Sequence, residues 1–215
     1  DNNIETLNYL IDKFKDGKEI GSLLLVDEKD YAKLTKELVN DNTIFGIDMR
    51  NKVLPLIKQA QILSKKYDIV VTNPPYLNSS AMDEKLKNYI NKNFENYKFD
   101  TFSAFMIRNT YFGKKDAYFG FMTPNVWMFI SSYEELRIRI INDINVQSFV
   151  QLAQGSFFKE ATVDICTFVL KNGNSVNSVF YKLSEQRNGV EGQQQAFLDN
   201  LITGKDKYII DTKLF

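Results

Sequence analysis

Histidine is absent from this 215-residue chain, and cysteine occurs once, at Cys166. The lack of histidine excludes hydrolysis that depends on a histidine base, and it excludes metal sites with histidine ligands. A single cysteine excludes an internal disulfide and suits a reducing compartment, so we expect Cys166 to be a packed strand residue. No apolar run approaches membrane-spanning length, and no signal peptide is visible. These absences predict a globular domain in the cytoplasm.

The chain contains 27 Lys and Arg residues and 27 Asp and Glu residues, so neither sign of charge is in excess. Surfaces that bind nucleic acids are usually basic, so the composition argues against strong DNA binding by this chain in isolation. The length is sufficient to bury a sizeable core.

Apolar residues alternate between helical and strand spacing along the chain, which predicts an α/β fold. Helices are expected at 4–14, 31–38, 53–63, 86–97, 101–112, 133–142 and 193–202, and strands at 68–72, 117–123, 146–153, 162–171 and 177–183. Asp100 is placed to cap the helix that starts beside it. A stretch rich in Gln, Asn and Gly at 185–192 is the best linker candidate.

The most informative motif is Asn73-Pro74-Pro75-Tyr76, called the tetrapeptide below. It directly follows the β-branched run 68–72, which predicts a buried strand of a parallel sheet. The two prolines end that strand, because they supply no donors to the ladder. The tetrapeptide is therefore expected at the carboxyl edge of the sheet, where open α/β folds bind ligands.

These residue types suit a flat substrate that carries an amino group. An exocyclic amine on a heteroaromatic ring is a weak nucleophile, because its lone pair is delocalised into the ring. The side-chain oxygen of Asn73 and the carbonyl of Pro74 can each accept one N–H of that amine, which frees the lone pair for attack. Tyr76 can stack on the ring, and a cofactor with an activated methyl group completes the reaction. Pro-Pro-Tyr is also common in polyproline turns and in WW-domain ligands, but its place after a strand favours catalysis.

The segment 68–76 resembles the catalytic motif of amino-group methyltransferases that use S-adenosylmethionine. Later segments continue the likeness in order and resemble adenine-specific DNA methyltransferases: 98–105, 120–129, 131–137 and 158–163. The segments 20–24 and 127–132 resemble the large adenine methyltransferases of BREX and Pgl phage-resistance systems, which are built like type IIG enzymes. The resemblance implies a Rossmann-like methyltransferase sheet with flanking helices.

The resemblance also implies roles for individual residues. The tetrapeptide is the catalytic motif, in which its first two residues hold the amine and its tyrosine stacks on the base. Phe158 is expected to stack on the same base, with a position in the core as the alternative. Asp48 resembles an acidic residue at a strand end that contacts the cofactor, with a turn or a helix cap as the alternative.

One element of the family is missing, namely a strand with a Gly-x-Gly turn that binds the cofactor upstream of the catalytic motif. The ten glycines of the chain are scattered, and none forms that pattern. The chain also begins at Asp1 without an initiator Met, so we expect a piece of a longer protein. The catalytic part of the methyltransferase domain is expected at 1–184. A linker and the start of a segment toward a DNA-recognition domain are expected at 185–215.

The resemblance implies methylation of the 6-amino group of adenine in double-stranded DNA, with S-adenosyl-L-methionine as cofactor, after the base is flipped out of the duplex. It implies phage defence or restriction-modification as the process, with subunits of a defence complex as candidate partners and no membrane association. Two alternatives stay open. The substrate can be RNA or a protein glutamine, because those enzymes use similar motifs, or the chain can be a non-catalytic scaffold or binding subunit. The chain alone is expected to transfer methyl groups poorly or not at all.

Overall fold

The computed structural model describes residues 2–40, 43–153, 155, 163–173, 177–184 and 189–211. Contacts between residues divide the chain into two compact units, Asp1–Lys66 with Asp83–Tyr89 and Tyr67–Met82 with Ile90–Phe215. Within the described ranges, no helix combines the length and the apolar character needed to cross a membrane.

The first unit is helical. Its elements, numbered in chain order, are α1 (Asn2–Lys13), α2 (Gly17–Ile20), α3 (Tyr31–Asn40), α4 (Ile44–Ser64) and the start of α5 (Glu84–Asn93). Thr43 caps α4, because its hydroxyl accepts a hydrogen bond of 3.0 Å from the Gly46 amide. Apolar side chains of α1, α3 and α4 form one core, which contains Leu10, Tyr31, Leu34, Val53, Ile57 and Ala60. The three predicted helices are confirmed, but the face expected to be buried on α1 includes Ile4 and Ile11, which are exposed.

The second unit is built on a six-stranded mixed sheet. Its strands are β1 (Tyr67–Thr72), β2 (Gly113–Pro124), β3 (Asn145–Gln151), β4 (Ile165–Lys171), β5 (Asn177–Lys182) and β6 (Lys207–Asp211), in the order β1-β2-β4-β3-β5-β6. β1 is parallel to β2 and β3 is parallel to β5, whereas β4 and β6 are antiparallel to their neighbours. The carboxyl ends of β1, β2, β3 and β5 therefore lie at one edge of the sheet.

Helices α6 (Thr101–Thr110) and α7 (Glu134–Asp143) pack on the sheet, where α6 contacts β2 and α7 contacts β3. α8 (Gly189–Thr203) contacts β5 through Phe197 and Tyr181, and the Tyr181 side chain points to the face opposite that of Phe180. Phe149 stacks on Phe168 with ring centroids 5.7 Å apart, and Trp127 contacts both rings. The predicted α/β fold with flanking helices is confirmed.

β1 is the outer strand of the sheet, so the expectation of a buried strand is wrong. Ile69 is 67% exposed and Val71 is 76% exposed. Among the described residues, β2 is the only strand that pairs with β1. A β-branched run favours a strand in either environment, so the sequence pattern does not separate an edge strand from a central one.

The described part of 185–215 belongs to the sheet unit, which corrects the expectation of a linker. α8 and β6 lie in this segment, and β6 pairs with β5. The Gln193 side chain is 4% exposed and accepts a hydrogen bond of 3.0 Å from the Ala153 amide. A segment rich in amide side chains suggests a loop, but burial and hydrogen bonding of one such amide fix this segment to the sheet. Residues 185–188 lie outside the described residues, and the expected continuation toward a DNA-recognition domain stays a prediction.

Candidate active site

The tetrapeptide follows β1 without a gap and lies at the carboxyl edge of the sheet, as predicted. The last residue of β1 still pairs with β2, so the two parallel strands reach this edge together. Two successive prolines remove backbone donors, and the strand cannot continue. Pro74 is buried, whereas Asn73 and Pro75 are exposed.

The Tyr76 hydroxyl joins the tetrapeptide to the neighbouring strand. Its single O–H has two acceptors within reach, Oδ1 of Asn73 at 2.8 Å and the Met122 carbonyl of β2 at 3.1 Å, and the shorter contact is the one to Asn73. The Tyr76 ring meets the Phe102 ring edge-on, with centroids 6.4 Å apart. Burial raises the pKa of Tyr76 to about 12, with a smaller contribution from Cys166. The hydroxyl therefore stays protonated, and Asn73 Oδ1 keeps one lone pair for a further donor.

The first residues of α6 hold the chain on both sides of Tyr76. The Thr101 hydroxyl donates to the Pro75 carbonyl at 2.6 Å and accepts from the Leu77 amide at 3.0 Å. The Asp100 carboxylate accepts from the same Leu77 amide at 3.0 Å. In return, the Thr101 amide donates to the Leu77 carbonyl at 3.0 Å. The helix start and the loop after the tetrapeptide are thus paired through four hydrogen bonds.

Asp100 has a second role as the cap of α6, as predicted. Its carboxylate accepts from the Phe102 amide at 3.2 Å. Burial raises the pKa of Asp100, and the hydrogen bonds from Phe102 and Leu77 partly oppose this rise. Sequence reasoning found the cap but missed the contact with the loop and missed Thr101. Thr101 and Pro75 are 26 positions apart, and no local spacing signals a contact at that separation.

Two oxygen atoms of the tetrapeptide have capacity for a further donor. One is Oδ1 of Asn73, which lies on an exposed side chain. The other is the Pro74 carbonyl, which receives no hydrogen bond from the residues that the structure describes. The Pro75 carbonyl, in contrast, is already bound by Thr101. An amide oxygen and a backbone carbonyl on adjacent residues can accept the two N–H groups of one amine.

An apolar trough of about 330 Å³ lies beside Asn73, on the sheet face that carries the Val71 and Met122 side chains. Its walls include Val71 of β1, Gly120 and Met122 of β2 and Val169 of β4. A Cβ added at Gly120 would lie 3.4 Å from Val71, so the missing side chain keeps this part of the trough open. The site therefore places an apolar surface next to its polar oxygen atoms.

Trp127, near the end of β2, belongs to the core. It is 5% exposed, and its indole N–H donates to the Thr123 hydroxyl at 3.0 Å. Cys166 lies 3.6 Å from the same hydroxyl, and burial raises the pKa of its thiol to about 11. The predicted role of Cys166 as a packed strand residue is confirmed.

The remaining predicted site residues are Phe158 and Asp48. Phe158 lies outside the described residues, so its stacking on the base stays a prediction. Asp48 lies inside α4, and the expected position at a strand end is wrong. Its exposed carboxylate pairs with Lys52 at 2.8 Å, one turn along the helix. The Thr43 cap starts α4 earlier than the apolar spacing indicated, which places Asp48 in the helix.

Comparisons with a family model and with individual proteins agree on one kind of relative, the methyltransferase. Residues 2–158 match the family described as Eco57I restriction-modification methylase. The adenine-specific methyltransferase BrxX of Escherichia coli O9:H4 (strain HS) is 31% identical over 180 residues, which are 79% of this chain and 15% of BrxX. The adenine-specific methyltransferase PglX of Lacticaseibacillus casei (strain Zhang) is 33% identical over 148 residues, which are 62% of this chain and 12% of PglX. This chain thus spans a small part of the length of these relatives.

The fold is also found in a solved structure of a nuclease-deletion mutant of the Type ISP restriction-modification enzyme LlaGI in complex with a DNA substrate mimic. The TM-score is 0.54 at 13% identity, over 83% of this chain and 17% of that one. The predicted resemblance to BREX and Pgl adenine methyltransferases is confirmed by BrxX and PglX. With a family match that covers most of its residues, the chain belongs to the Eco57I restriction-modification methylase family.

Proposed function

We propose that the native protein carrying this chain methylates the 6-amino group of adenine in double-stranded DNA. The observation that carries the proposal is the tetrapeptide, where Asn73 Oδ1 and the Pro74 carbonyl have capacity for both donors of one amine. Adenine as the substrate base is supported by the relatives BrxX and PglX, which are adenine-specific methyltransferases. Because the chain spans 15% and 12% of those relatives, its activity, its substrate and its partners are all part of this proposal.

Asn73 and Pro74 act on the amine by hydrogen bonding. Bonds from both N–H groups to these oxygens draw the nitrogen out of conjugation with the ring and localise its lone pair. The Tyr76 ring stacks on the base and fixes its plane. With a pKa of about 12, the Tyr76 hydroxyl is not a base at neutral pH. Catalysis by the tetrapeptide consists of positioning and polarisation, and it requires no strong general base.

The methyl donor in this proposal is S-adenosyl-L-methionine, which supplies an electrophilic methyl group when bound. The residues described here fit the amine side of the reaction only. The chain has no Gly-x-Gly pattern, and Asp48 lies in a helix where its carboxylate already pairs with Lys52. We therefore assign no residue of this chain to holding the cofactor.

Base flipping follows from the position of the reacting atom. The 6-amino group of adenine is inside the duplex, so the tetrapeptide can reach it only after the base leaves the stack. Phe158 is proposed as the second stacking ring. The proposed setting is phage defence or restriction-modification in the cytoplasm, with subunits of a defence complex as partners.

We further infer that the 215-residue chain by itself is a poor methyltransferase. Its net charge is zero, whereas tracking a DNA backbone depends on basic surface. The relatives BrxX and PglX are several times longer. Robust methylation of DNA by the purified chain would contradict this inference.

The decisive experiment is mass spectrometry of nucleosides from the DNA of cells that express the native protein with its partners. Wild type is compared with Asn73→Ala and with the control Asn172→Ala. Asn172 is an amide at the opposite edge of the sheet, where it donates to the Lys114 carbonyl at 2.8 Å. We expect methyladenine in the wild type and the control, and its loss in Asn73→Ala.

Other outcomes separate the alternatives. Methylated RNA or methylglutamine without methyladenine in DNA would move the assignment to those substrates. The absence of all three products in the wild type would favour a scaffold or binding subunit. Methyladenine at wild-type level in Asn73→Ala would refute the role of the tetrapeptide.

A further inference from the structure

We propose that Thr101, supported by Asp100, is a positioning residue for methyl transfer. Thr101 fixes the backbone of the tetrapeptide and thereby the carbonyl that accepts the amine. This role rests on the proposed function. It concerns residues at the start of α6, outside the tetrapeptide itself.

The geometry assigns one hydroxyl to two backbone groups. Thr101 donates to the Pro75 carbonyl at 2.6 Å and accepts from the Leu77 amide at 3.0 Å, so it bridges the peptide groups on either side of Tyr76. Thr101 is 2% exposed, so water does not readily replace it. Among side chains of this size, only a hydroxyl provides a donor and an acceptor on the same atom.

Anchoring the Pro75 carbonyl also restrains the carbonyl before it. The ring of Pro75 fixes its φ near about −65°, so the peptide planes on its two sides are connected by one free torsion angle. Once the Pro75 carbonyl is held, little freedom is left for the plane that carries the Pro74 carbonyl. The Thr101 hydroxyl therefore directs an oxygen that it does not touch.

Asp100 supports this arrangement but does not duplicate it. Its carboxylate accepts from Leu77, and the Ser79 amide donates to the Phe99 carbonyl at 3.0 Å, so the loop remains paired with the helix start when Thr101 is changed. Neither bond reaches Pro75. Loss of the Thr101 hydroxyl should consequently disturb the tetrapeptide more than it disturbs the fold.

The test uses Thr101→Val, Thr101→Ser and the control Thr110→Val in the native protein. Valine keeps the shape of threonine without the hydroxyl, and serine keeps the hydroxyl. Thr110 lies on the same helix, and its hydroxyl donates to the Ile107 carbonyl at 2.7 Å. We expect the single-turnover rate of methyl transfer to fall on the order of tenfold to a hundredfold in Thr101→Val, since small misplacements have effects of this size. The Kd for DNA should not change, and the other two variants should match the wild type.

Hydrogen exchange at the Leu77 amide provides a measurement that does not need activity, and we expect faster exchange in Thr101→Val only. Thr101→Ala replaces the valine variant if valine alters the circular dichroism spectrum. A hydroxyl-free variant with the wild-type single-turnover rate would overturn the positioning role and leave the proposed function intact. A wild-type protein that methylates no DNA would overturn the proposed function and this role together. A serine variant as slow as valine would show that packing, and not the hydroxyl, is what matters.

Discussion

Replacing Asp100 with alanine tests how far the start of α6 stabilises the sheet unit. Its carboxylate caps the helix at Phe102 and accepts from Leu77. Loss of an N-cap costs about 1 kcal/mol. In the alanine variant the Leu77 amide still donates to the Thr101 hydroxyl at 3.0 Å. Loss of the Asp100 carboxylate as its other acceptor therefore costs about 0.5–1 kcal/mol. We expect the free energy of unfolding to fall by about 2 kcal/mol, which lowers Tm by about 4–8 °C for a chain of this length.

Asp100→Asn separates the hydrogen bonds from the charge, because asparagine keeps an oxygen acceptor. Burial raises the pKa of Asp100 above its ordinary value of 3.8. An acid with a higher pKa in the folded state makes the protein less stable as pH rises through the window between the two pKa values. We expect the asparagine variant to lose this part of the pH dependence and to remain near wild-type stability at neutral pH. Calorimetry from acid to neutral pH measures both effects. An alanine variant that is no less stable than the asparagine variant would refute the assignment of these hydrogen bonds.

Substitutions at three other positions are expected to change activity or stability by different amounts. Tyr76→Phe should keep most methylation activity because the ring remains. Tyr76→Ala should lose about 1–3 kcal/mol of stacking on the base, as measured by DNA binding and methylation kinetics. Equal defects in the two Tyr76 variants would contradict stacking. Gly113→Ala should lower the free energy of unfolding by about 1–3 kcal/mol in denaturant titration, because the added Cβ would lie 2.3 Å from the Phe119 ring. Lys114→Met should change stability by less than about 1 kcal/mol, because its 2.8 Å ion pair with Asp68 is exposed; a larger loss would show that solvent does not screen the pair.

The elements of the fold could be predicted where the local pattern and the burial of a residue agree. Leu34 and Ile57 lie in the core of the first unit, and the helical spacing that includes them predicted α3 and α4. α1 was predicted from Ile4, Leu7, Ile11 and Phe14, of which Ile4 and Ile11 are exposed, so the helix was found but not its buried face. A hydrophobic residue at every turn is sufficient to predict a helix, because a helix on the surface of a domain buries one apolar face. The boundaries were less predictable, and Asp48 is in a helix because Thr43 caps α4 earlier than the apolar residues indicate.

The position of the tetrapeptide at the end of β1 could be read from local signals, because a β-branched run and two prolines act without a distant partner. Contacts between distant segments set the features that such signals do not contain. They made β1 an outer strand, since edge and central strands share the same residue preferences. They also brought Thr101 to Pro75 across 26 positions, because the hydroxyl of the buried Thr101 side chain must find hydrogen-bond partners wherever the fold supplies them.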